Sequence, residues 1–101
     1  WYRSGIAHVV RFEDIVGPAG GGDHRRQLHS IASIFEFIGL PIAKDRVRAI
    51  AKRAFSSDSP TFRSGRVDGW KDVFDPASIE LFKRHAGSVL IELGYETDMR
   101  W

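Results

Sequence analysis

Apolar positions recur along this chain at two different periods, and the change of period divides it. From Ile6 to Phe12 the run Ile-Ala-His-Val-Val-Arg-Phe is β-favouring and apolar on both faces, the pattern of a strand inside a parallel sheet covered by helices. From Leu28 onward the spacing is helical. Leu28, Ile31, Phe35 and Ile38 share one face, widened by Ile34 and Phe37, which predicts a helix from an Asp23 N-cap through about Ile38. Gly39 ends that helix in the left-handed conformation, which folds Leu40 back on Phe35, and Pro41 blocks continuation. A second helix, about Ala43 to Ala54, is predicted to bury Val47, Ile50, Ala51 and Ala54 and to turn Lys44, Arg46, Arg48, Lys52 and Arg53 outward or toward the loop that follows, a solvated basic face being the better reading for most of them. The third is the clearest. Asp75 caps it, Pro76 takes its first position, and Ile79, Phe82, Ala86, Val89, Leu90 and Leu93 make a continuous stripe up to Gly94. Tyr95 stands to Leu90 as Leu40 does to Phe35, and Glu96 to Trp101 read as a loose tail.

One strand cannot satisfy its own ladder hydrogen bonds, and no other run of comparable quality occurs. The expected complement is an N-terminal portion or another copy of the chain; the sequence opens at Trp1-Tyr2 without Met, as a cut or processed end would. Between strand and first helix, Glu13-Asp14 leads into Gly17-Pro18-Ala19-Gly20-Gly21-Gly22, which reads as a flexible surface loop. No Gly-Lys-Ser/Thr ending follows the glycines, so a plain linker is preferred to a phosphate-binding loop.

Composition narrows the function classes. With 101 residues, 43% hydrophobic and 28% charged, the chain is one small globular domain with a modest core. It contains no cysteine, hence no disulfide, which suits a reducing compartment. No apolar run approaches the roughly 20 residues that span a bilayer, and no signal segment is evident, so a soluble cytoplasmic protein without a membrane partner is expected. The net charge is only +2, and the basic residues are spread out rather than gathered in a stripe. That favours a small anionic ligand over nucleic acid. His8, His24, His29 and His85 lack metal-ligand spacing, and no metal is expected. Glu13-Asp14 reads as capping rather than as an acid/base pair.

The chemistry concentrates in Phe62-Arg63-Ser64-Gly65-Arg66-Val67-Asp68-Gly69-Trp70-Lys71-Asp72-Val73-Phe74. Gly65 permits φ > 0 and close backbone approach, Arg63 offers a planar fork of donors suited to phosphate, and Trp70 and Phe74 can pin the loop. The run resembles the Arg-Lys-Gly-x-x-Gly-Asp-Trp-Lys-x-x-Phe signature of PAPS-dependent sulfotransferases. Two further segments are similar to that family's C-terminal region, in the same order: Val-Arg-Phe-Glu-Asp-Ile at 10 to 15 and Arg-Ala-Phe-Ser at 53 to 56.

The resemblance implies an α/β fold, the C-terminal part of a P-loop-NTPase-like sulfotransferase domain without separate domains, here one strand plus about three helices. It implies that Arg63 binds the 3′-phosphate of PAPS, with the amides of Ser64 and Gly65 completing the cradle. Phe55 would lie against the adenine and Phe12 near its edge, and PAP would be the product. Ser64 stands where the family usually has Lys, and Asp68-Gly69 reverses the usual Gly-Asp order. Arg66 is positioned to supply the missing cation. The family's loop for the 5′-phosphosulfate and its catalytic His region have no counterpart here, so this chain alone is expected to be inactive, with acceptor unidentified. The alternative is a non-catalytic helical module that homo-oligomerises through its unpaired strand.

Overall fold

In the computed structural model, which describes residues 5–60 and 62–101, the chain is helical: α1 (Phe12–Ile15), α2 (His24–Phe37), α3 (Lys44–Ala54) and α4 (Pro76–Glu92), with 3-10 turns at Pro18–Gly20 and Gly69–Asp72. No strand occurs among the described residues. The α/β expectation is therefore corrected, and with it the strand at 6 to 12. Ile6 is 81% exposed and Phe12 begins a helical turn. A lone β-favouring run has no ladder to join, so its main chain takes other partners. His8 instead crosses to α2, where Nε2 lies 2.9 Å from the Ser33 hydroxyl and the ring stacks on Phe37 at 5.3 Å. Glu13 and Asp14 sit in the first turn of α1, where acidic side chains favour the positive helix end.

The chain divides into two compact units, Trp1–Gly69 and Trp70–Trp101. In the first, the buried core is Ile31, Val47 and Ala51, with Ile15, Leu28, Ala32, Phe35 and Ile42 packed against it. The side of α3 facing that core is narrower than its periodicity predicts: Ile50 is 38% exposed and Ala54 is exposed. Phe37 and Ile38 are likewise exposed. Gln27 and Ser30 are the polar residues of the interior, and Gln27 bridges helices. Its amide donates to the Ile15 carbonyl at 3.1 Å and the Ala51 carbonyl at 3.2 Å, tying α1 and α3 to α2 through groups left over at two helix ends.

In the second unit α4 starts on Asp75, whose carboxylate accepts from the Ser78 amide at 2.7 Å, with Pro76 at the first position. Rings hold this unit. Trp70 meets Phe74 and Trp101 edge-on at 5.9 and 5.7 Å, and Phe82 meets Phe74 and Trp101 at 6.1 and 6.3 Å. The segment 96 to 101 is therefore not a loose tail: Trp101 lies in the ring cluster, under the Lys83 ammonium at 5.1 Å, and Met99 covers Gly87.

α2 and α4 stop by the same device. Gly39 and Gly94 have φ of +71° and +72°. Each donates to a carbonyl three residues back, Glu36 and Ile91, while Leu40 and Tyr95 donate to Phe35 and Leu90 at 2.9 Å. This is the Schellman pairing that the Gly-Leu and Gly-Tyr steps predict.

Candidate functional site

The glycine-broken loop at 62–69 lies wholly in the first unit and is built from three local constraints. Phe55, at the end of α3, and Phe62, at the start of the loop, meet edge-to-face at 5.3 Å. Gly65 sits between them with φ +55°. A Cβ there would come within 2.8 Å of Phe55 Cε2 and 2.9 Å of Phe62 Cε2, so both the backbone angle and the space exclude a side chain. The consequence is a fixed bend whose flanking residues, Arg63, Ser64 and Arg66, are all exposed.

The third constraint comes from the glycine-rich segment. It is no linker: Gly20 donates to the Gly17 carbonyl at 3.1 Å, Gly21 to Pro18 at 3.1 Å and Gly22 to Gly17 at 2.8 Å, which closes a tight knot. Gly20 is buried, and its carbonyl accepts from the Val67 amide at 2.8 Å. The expectation of a flexible surface loop fails because these glycines are needed for close approach, with neighbours on several sides. A Cβ on Gly17 would strike the buried Gln27 amide, and one on Gly20 would strike both Val16 Cγ2 and the Gly65 carbonyl.

Of the residues that sequence reasoning assigned to a nucleotide, Ser64, Gly65 and Arg66 lie with Arg63 on this one loop, and Phe55 packs against it from the end of α3. Gly69 faces the Ser64 hydroxyl and the Arg66 stem. Phe12 is 46% exposed on α1, and the ring atoms nearest Gly65 are those of Phe55 and Phe62. Phe62 and the Gly17–Gly22 knot are the parts that sequence reasoning missed. For Phe62 the signal was its place next to Arg63; for the knot there was none, since contact between 20 and 65 is not encoded by spacing. Asp68, at the far end of the loop, is the one non-glycine with positive φ among the described residues, at +61°.

Chemically, the bend offers a guanidinium beside turning backbone, a combination that suits a multiply charged oxyanion. A surface cleft of about 450 Å³ beside α2 is lined by Asp14, Arg25, Arg26, His29 and Ser30, but there Arg26 already pairs with Asp14 at 3.2 Å. Among the described residues no three His, Cys, Asp or Glu side chains gather to hold a metal ion, and no helix is long and apolar enough to cross a membrane.

No protein-family model, curated protein or solved structure matches the chain. The likeness to PAPS-dependent sulfotransferases is accordingly carried by the residues quoted above alone.

Proposed function

We propose that this chain contributes the 3′-phosphate and adenine side of the PAPS site of a sulfotransferase that transfers a sulfuryl group to an acceptor hydroxyl or amine. The observation that carries the reading is the pinned bend at Gly65. Its φ of +55° between two phenyl rings leaves Arg63 and Ser64 exposed side by side. A 3′-phosphate gains most from such a fork of charged donors together with amides on the same turn. Phe55, half-buried beside the loop, is the ring assigned to the adenine. Sulfuryl transfer also needs a base for the acceptor and cations for the leaving phosphate oxygen. Those groups belong to residues outside this chain, so it supplies binding and not chemistry. A cytoplasmic setting fits a chain without cysteine.

The test is a calorimetric titration of the chain with adenosine 3′,5′-bisphosphate (PAP), repeated on Arg63→Ala. The expected result is one-to-one binding that weakens by about tenfold or more in the variant, the size of a lost charge-assisted contact. Equal heats for both proteins would dismiss Arg63 as the phosphate ligand.

A further inference from the structure

The geometry points to Gly20 as a positioning residue for the proposed phosphate loop, with the Gly17–Gly22 knot as the platform against which a 3′-phosphorylated nucleotide is read. The inference rests on the proposed function, since it concerns that same loop. Three contacts place Gly20 there. Its carbonyl accepts the Val67 amide at 2.8 Å, fixing the loop on the far side of the bend from Arg63. Its Cα faces the Gly65 carbonyl so closely that any Cβ would collide with it, fixing the bend itself. On its other side the same Cβ would collide with Val16, which is buried at 6% exposure.

The platform is anchored in turn to the helical core. Gly17 opens the knot with φ +73° and leaves room for the Gln27 amide, which is 3% exposed and bonded to Ile15 and Ala51. A path of packed groups thus runs from the ends of α1 and α3 through Gln27 and Gly17 to Gly20, and from there to the backbone on both sides of Arg66. The peptide groups on both sides of Arg66 are held by a glycine more than forty positions away in sequence, directly after the bend that carries Arg63 and the amides at 64 and 65. Gly20 touches no ligand itself. Its effect should fall on the 3′-phosphate and spare the rest of the nucleotide, because the contact it makes is with the loop that carries Arg63.

The experiment compares PAP with adenosine 5′-monophosphate, which lacks the 3′-phosphate, on the wild-type chain and on Gly20→Ala, with helix content followed by circular dichroism. The wild type should prefer PAP, and Gly20→Ala should cut that preference by about tenfold while binding the monophosphate as before. A general loss of structure would weaken both ligands alike, and so would not reproduce this result. Should the alanine variant lose its helices, a chain with the Val67 amide replaced by an ester removes the donor to Gly20 and leaves every side chain in place. Its preference for PAP should fall about fivefold. An unchanged preference in either folded variant overturns the positioning role and leaves the phosphate loop standing. A wild-type chain with no preference for PAP overturns the phosphate reading, and the role of Gly20 with it.

Discussion

The two units of this chain are held by different means. The first, through Gly69, closes on buried aliphatic side chains, Ile31, Val47 and Ala51, with a buried amide bridging three helices. The second, from Trp70, has Gly87 as its buried residue on α4 and relies on a ring cluster whose members Phe74 and Phe82 are 38% and 40% exposed. An interior of close-packed aliphatics punishes any lost methylene, whereas edge-to-face rings at a surface contribute smaller, separable amounts. The difference teaches where a site can be built. The bend at Gly65 belongs to the unit whose backbone is wedged by glycine contacts, and such wedging holds a turn to a fraction of an ångström.

The sharpest way to break the comparison is a matched pair of truncations. Ile31→Ala should cost about 2 to 5 kcal/mol, because transfer and cavity terms add at a site 3% exposed. Trp101→Ala should cost less, about 1.5 to 4 kcal/mol, the sum of two edge-to-face contacts and a partly solvated cation–π pair. Urea denaturation followed by circular dichroism measures both. A larger loss for Trp101 would mean that the rings, and not the aliphatic core, dominate stability.

A smaller effect is expected at the end of the loop. Asp68 takes φ +61°, and Gly69 has open space, with its nearest neighbours at 3.7 and 3.8 Å. The residues are in the conformationally costly order. Exchanging them, Asp68→Gly with Gly69→Asp, puts the glycine at the left-handed position and a side chain where one fits, and should stabilise the chain by about 0.5 to 1 kcal/mol. A fall in the thermal midpoint would show that the Asp68 side chain contributes more than its backbone costs.

The smallest effect is acidic and falls on the second unit. Asp75 is held below the usual carboxylate range by hydrogen bonds from the Ser78 hydroxyl and then its amide, and Asp98 by the Arg100 guanidinium and amide. Both carboxyls have depressed folded-state values, so their contribution is present above the unfolded value of about 4 and is lost as pH falls through the folded one. Protection of the amides in the first turn of α4, measured against their intrinsic exchange rates, should therefore fall below about pH 4. Asp75→Asn, which caps without titrating, should remove that pH dependence; a variant that still responds would move the cause elsewhere.

Much of the helical framework was legible in the residues. Asp23 and Asp75 start helices where their carboxylates reach the amides of Arg26 and Ser78, and Gly39 and Gly94 end them, because caps and Schellman stops are decided within six residues of sequence. Of the site, Arg63 and Gly65 were legible for the same local reason. The strand at 6 to 12 was misread because β-favouring composition describes a surface that needs a partner, and the described residues supply none. The tail at 96 to 101 was misread because nothing local announces that Trp101 returns to Trp70 and Phe82.

The sequence by itself thus determined where backbone hydrogen bonds close over short distances: the three long helices, their caps, and a glycine bend beside an arginine. Tertiary structure alone decided what depends on groups far apart in the chain. It turned a glycine run that reads as a linker into a wedge, since the need for Gly20 comes from the Gly65 carbonyl and Val16 and not from its sequence neighbours. It also chose Phe62 and Phe55 as the walls of the bend, because two rings and a missing Cβ must meet in space before any of the three has a reason to be what it is.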